Sequence, residues 1–138
     1  MNVLVDTCVW SLALRRGSHP ADPHCLELAE LIRERRVSII GPIRQEVLSG
    51  VRIIEQFRRL GEHLRAFPDI PLCAEDYEQA AGFYNLLRGK GIQGSNTDFL
   101  ICAVAARCGL SIYTTDRDFT MFSAHIPLRL HSPGDRTR

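Results

Sequence analysis

GSNTDFLICAVAARCGLSIYTTDRDF, residues 94–119, joins two apolar runs of different length through one glycine. The first, 97–108, is long enough for a helix, with Asn96 or Thr97 placed to cap its start and Gly109 to end it. The second, 111–115, is short and carries Ile112, Tyr113 and two threonines, the composition of a strand. Asp98 stands in the first turn of that helix, and Asp116 directly follows the strand. Helix starts and strand ends share one edge of a parallel sheet, so these two acids become neighbours if the rest of the chain builds such a sheet.

It does so in pattern. NVLVD (2–6) is a short apolar run ending in an acid, and VSIIG (37–41) is a second, both suited to strands buried on two faces. Residues 8–16 read as helix. Asp22 then caps a helix with Pro23 at its first position, and CLELAELIRERR repeats apolar residues at helical spacing. Residues 42–50 and 53–66 form a helix pair broken near Gly50, 75–91 another helix, and DIPLC (69–73) and PLRLH (127–131) two further short strands. Alternating strands and helices give an α/β fold, a three-layer α/β/α sandwich around a central parallel sheet. One domain, 1–131, is expected, with 132–138 a frayed tail.

Composition sets the class. With 138 residues, 45% apolar and 24% charged, the chain matches an ordinary globular domain. No apolar run approaches ~18 residues, so no membrane span is expected. The start lacks a basic region and a cleavage site. Five cysteines without a C-x-x-C pair point to reduced thiols, hence a cytoplasmic setting. Of the 17 basic residues all but Lys90 are arginine, the residue that grips phosphate with two prongs and stacks on bases. Arg15 with Arg16, and Arg33, Arg35 and Arg36, are the candidate contacts to a phosphate-bearing partner; as clusters taken alone they equally describe solvated helix faces.

Two more acids complete the edge. Asp6 ends the first strand, and Glu46 lies one turn into the helix entered from 37–41. Each acid alone has an ordinary explanation as a turn residue, a helix-start acid or a surface group. Together they do not: two carboxylates ~5 Å apart at an effective dielectric of ~20 repel by roughly 3 kcal/mol. Four demand protonation or a cation. Oxygen donors with no His nearby suit a hard ion that keeps waters, Mg²⁺ or Mn²⁺, and such an ion supports phosphodiester hydrolysis.

LVDTCVW, IRQEVLSG, TDFLICAVA and YTTDRDF, in that order, resemble the four acidic motifs of PIN-domain nucleases, and in particular the VapC-type toxin ribonucleases of VapBC toxin–antitoxin pairs. The resemblance runs from residue 2 to about 130. It implies a metal-dependent endoribonuclease whose metal-binding and catalytic acids are Asp6, Glu46, Asp98 and Asp116. Thr7 and either Thr114 or Thr115 match hydroxyls that orient the cluster, and Asp118 matches an auxiliary acid. Cys8 stands where the family usually has Asn or Ser, which bears on how the first loop is held. A homodimer and a small antitoxin covering the groove are also implied.

Rival readings are weaker. GKGIQG (89–94) has the form G-x-G-x-x-G, but it follows a helix pattern rather than a strand and fits the end of one helix and a turn toward Asp98. The five histidines lack zinc spacing. Trp10 and Phe99, beside acids in sequence, are core residues or base-stacking groups. A non-catalytic RNA-binding or scaffold module with this fold, and a magnesium-dependent phosphorylated signalling domain, are the alternative functions. The second wants a lysine near the last strand, and Lys90 is the only lysine in the chain.

Overall fold

The computed structural model describes residues 1–14 and 22–134. In chain order the elements are β1 (Val3–Val5), α1 (Thr7–Leu14), α2 (Pro23–Arg33), β2 (Val37–Ser38), α3 (Gly41–Leu48), α4 (Ile54–Leu64), α5 (Ala74–Arg88), α6 (Asn96–Cys108), β3 (Ser111–Tyr113) and α7 (Asp118–Ser123). The strands form a parallel sheet in the order β2-β1-β3, with Val3 opposite both Val37 and Ser111 and Val5 opposite Tyr113. Val3, Leu4 and Val5 are all fully buried although successive side chains point to opposite faces. Both faces of the sheet are therefore covered, and the α/β/α arrangement follows.

The two outer strands expected at 69–73 and 127–131 shrink to single parallel bridges, Ile39 with Asp69 and Ile112 with Leu130. Proline explains the loss: Pro71 and Pro127 each remove a ladder donor from the segment concerned. Conversely, α7 forms where the sequence pattern gave no element. Its buried Phe119 and Phe122 pack on one another, and Phe122 packs on Phe99; this tertiary contact stabilises six residues that propensity alone would not.

Helix α6 is the hub. Every residue from Phe99 to Ala105 is buried, so it is apolar on all sides rather than amphipathic. It begins at Asn96 with Ser95 as its cap, one residue before the expected caps, and ends on Gly109 at φ 66°, a left-handed position that suits glycine. Arg107 near its end ties it to α5 by two bonds to the buried carboxylate of Asp76, at 2.7 and 2.9 Å. Asp22 caps α2 through the amides of His24 and Cys25. Buried His131 pairs with buried Glu27, which fixes the last segment against α2. All five cysteines are free thiols. Among the described residues, no helix is long and apolar enough to cross a membrane. Residues 135–138 of the expected tail, and Arg15 and Arg16, lie outside the described residues.

Candidate active site

Asp6 leaves the end of β1 and its backbone carbonyl starts α1, accepting from the amides of Val9 and Trp10. Its carboxylate is held from three sides. Oδ1 accepts from the Thr7 amide at 2.7 Å; Oδ2 accepts from the Thr114 hydroxyl at 2.8 Å and the Cys8 thiol at 3.5 Å. The Thr7 hydroxyl donates to Glu46 Oε1 at 2.7 Å, which joins α3 to the β1–α1 junction. Thr114 in turn accepts from the Asp116 amide at 3.0 Å. Hydroxyls on both sides of Asp6 thus bind three of the four acidic segments into one network. Of the two threonines after β3, it is Thr114 whose side chain enters the network, while Thr115 gives only its amide, to Cys8 Sγ at 3.3 Å.

Asp98 reaches the same edge from α6. It sits three residues after Ser95 in a reciprocal cap: the Ser95 hydroxyl accepts from the Asp98 amide, and Asp98 Oδ2 accepts from the Ser95 amide. Burial pushes its carboxyl up; the Ser95 bonds oppose this, and the charges of Asp6 and Asp116 add to the rise. Asp6 is likewise pushed up by burial, against the Thr114 bond, with the Glu46 charge adding. Burial raises the Cys102 thiol too, one turn further along α6, and the Asp98 and Asp6 charges raise it further. The charge effects run from Glu46 to Asp6, from Asp6 to Asp98 and from Asp116 to Asp98, a chain that touches all four acids.

Capping explains part of the pattern. Asp116 Oδ1 accepts from the Asp118 amide at 2.9 Å, so Asp116 shapes the entry to α7 and Asp118 is its first residue. A cap, however, needs only one acceptor, and Ser or Asn would serve as well. Glu46 Oε2, Asp98 Oδ1 and Asp116 Oδ2 accept no hydrogen bond, and none of the four acids is in an ion pair, among the described residues. Among the described residues, no group of three or more His, Cys, Asp or Glu side chains is arranged to hold a metal ion. The donor set is nonetheless one that suits a hard divalent ion: carboxylate oxygens free on three acids, Asp98 and Asp116 half-buried and Glu46 exposed, with no ion pair to any of them among the described residues.

Other candidates fall elsewhere. Trp10 and Phe99 are buried in the core, 3% and 1% exposed, and take no part in base stacking. The Arg36 carbonyl accepts from the Val3 amide at the beginning of β1, so the 33–36 cluster stands at the opposite edge of the sheet from Asp6. The reason is topological: α2 returns across the sheet and ends where β2 begins. Arg33 pairs with Glu30 and Arg36 with Glu34, whereas Arg35 is exposed. Among the described residues, cations near the acids along the chain are Arg117, between Asp116 and Asp118, and Arg88 and Lys90, where α5 ends ahead of Asp98 in α6. Ser95 was legible only as the S-x-x-D of a capping box.

Fold and site together define an α/β domain with an acid cluster at the carboxyl edge of its sheet. The chain belongs to the PIN domain family, whose model matches residues 3–123. No curated protein matches it significantly. Solved structures with the same fold include a chain of FitAcB from Neisseria gonorrhoeae, 20% identical with a TM-score of 0.75, covering 95% of this chain and 97% of that one. A chain of VapBC2 from Rickettsia felis, bound to a DNA fragment from their promoter, is 20% identical with a TM-score of 0.75 over 95% and 98%. A chain of a toxin-antitoxin complex from Klebsiella pneumoniae is 22% identical with a TM-score of 0.67 over 96% and 98%.

Proposed function

We propose that the chain is a metal-dependent endoribonuclease, the toxin of a type II toxin–antitoxin pair acting in the cytoplasm, with residues 1–131 as its single catalytic domain. The observation that carries this reading is the convergence of Asp6, Glu46, Asp98 and Asp116 from four separate elements, coupled by charge and lacking any ionic partner among the described residues. Membership of the PIN family and the likeness to chains of VapBC2 and of a toxin-antitoxin complex support it.

Asp6, Asp98 and Asp116 are the proposed metal ligands, and Glu46 a further ligand or the group that positions the attacking water. Mg²⁺ or Mn²⁺ bound there supplies Lewis acidity at the scissile phosphate. Thr7 and Thr114 fix the orientation of Glu46 and Asp6, and Cys8 braces the Asp6–Thr114 pair. Asp118 has an auxiliary role. With the four acids set aside, 17 basic face 12 acidic residues, a surplus that suits contact with RNA phosphates. Arg117, Arg88 and Lys90 are the rim on the acidic side. Exposed Ile53, Ile54 and Phe57 around α4 offer an apolar surface to an antitoxin or a second copy in a homodimer.

The test is incubation of the purified chain with a circular single-stranded RNA in Mg²⁺ or Mn²⁺. Linearisation that stops on chelation is expected. An RNA left intact under every metal condition, with the protein folded and free of antitoxin, contradicts the reading.

A further inference from the structure

A recess of about 140 Å³ opens between the carboxyl end of α5 and the loop leading into α6, lined by Tyr84, Arg88, Ile92, Gln93, Gly94 and Phe99. Because α5 ends at Arg88 and α6 begins at Asn96, the recess lies at the amino end of α6, the end that carries Asp98. The connection is direct in the chain: Gly94 precedes Ser95, whose amide and hydroxyl hold Asp98.

Its walls are chemically divided. Half-buried Tyr84 gives the recess an aromatic side, backed edge-to-face at 5.8 Å by the buried ring of Phe99. Arg88 donates to the Tyr84 hydroxyl at 2.7 Å, with its guanidinium 5.8 Å from the ring centre, so a planar cation is fixed beside that side. Gln93 is exposed at the rim, and its amide, with two donors and an acceptor, has no hydrogen-bond partner among the described residues. An apolar ligand would desolvate Arg88 and Gln93 without recompense. A bare anion would leave the aromatic side unused. A flat heterocycle with a hydrogen-bonding edge uses all three.

We propose that this recess is a nucleobase subsite that takes one unstacked base of a single-stranded RNA beside the acid cluster. It rests on the nuclease reading and adds to it a place where base identity is read. Unpaired bases are recognised in this way, stacked on aromatic or guanidinium planes and hydrogen-bonded along their edges. The Gln93 amide, donor and acceptor at once, can pair along a base edge beside the Arg88 donors, and a well-made contact of this kind is worth roughly tenfold or more between bases.

The experiment uses the full chain in chelator, with short homopolymers of A, C, G and U titrated separately and followed by ¹H–¹⁵N spectra. The subsite requires one homopolymer to bind about tenfold more tightly than the others and to move the Gln93 side-chain amide and the Gly94 backbone amide. Gln93→Ala, whose spectrum reports its folding directly, should remove that preference, while Gln79→Ala on the exposed surface of α5 should keep it. The subsite is overturned if no homopolymer perturbs Gln93 and Gly94, or if Gln93→Ala leaves all four affinities unchanged. The nuclease reading fails separately: recess binding without any metal-dependent cleavage refutes catalysis and leaves the base site standing. Cleavage with no base preference and no shift at Gln93 does the opposite.

Discussion

Asp98 shows how much of a site one residue reveals. It was visible as an acid in the first turn of a long apolar run, and Asp6 and Asp116 were visible as acids where strand-like runs stop. Glu46 was the least distinctive by position: one turn into the helix after 37–41 it shares the edge, but alone it resembles any surface glutamate, and the motif resemblance strengthened its reading. Nor did the sequence show that Cys8 Sγ would stand between Asp6 and Thr114, since that contact spans 106 positions. The carboxyls of Asp6 and Asp98 are raised above the ordinary 3.8, so the folded chain binds their protons more tightly than the unfolded chain. Their contribution to stability is therefore most favourable below that value and is lost as pH rises through the raised pKa. Without metal at neutral pH, Asp98→Asn should melt a few degrees above the wild type, on the order of 3 °C, since the amide oxygen still accepts from Ser95. The gap should narrow at pH 4. Mg²⁺ or Mn²⁺ should raise the wild-type melting temperature and move that of Asp98→Asn much less. Equal melting of the two proteins at both pH values, with equal metal shifts, would show that the acids do not repel in a shared site.

Elements were more legible than their edges. The long helices and the three paired strands follow from periodicity and caps, whereas the outer segments at 69–73 and 127–131 depend on tertiary pairing that two prolines curtail. Helix α7 was illegible because a six-residue helix leaves no periodic signal. The 89–95 link between α5 and α6 matched a nucleotide-binding motif, yet its glycines answer to packing and turn geometry. Gly91 adopts φ 77°, and a Cβ on Gly94 would lie 2.7 Å from Phe122 Cζ and 2.8 Å from Phe99 Cζ. Both rings are buried and locked against α7 and α5, so they cannot swing aside. Gly94→Ala is expected to lower stability by about 1–3 kcal/mol through overpacking, read as an earlier urea midpoint. An unchanged midpoint would mean the α5–α6–α7 junction yields more readily than its packing implies.

At the scale of the molecule, topology rather than composition decides where charge acts. The arginine cluster at 33–36 looked close to the first strands in sequence, but α2 carries it to the opposite edge of the sheet, and the acids converge at the edge where β1 and β3 end. Binding of RNA to an inactive Asp6→Asn chain should still fall steeply with salt, because arginine contacts release counterions from phosphate. A flat salt response would point to a different class of ligand. Hydrolysis at this edge requires the carboxylates to act together, and single-turnover cleavage of RNA at saturating Mn²⁺ measures that most directly. Circular dichroism should show Asp116→Asn and Asp118→Asn folded like the wild type, since an amide at 116 still accepts from the amide of residue 118. Asp116→Asn should then lose at least about a hundredfold in rate, and Asp118→Asn should retain measurable activity. Wild-type rates in Asp116→Asn, with Asp118→Asn inactive, would contradict the site as placed.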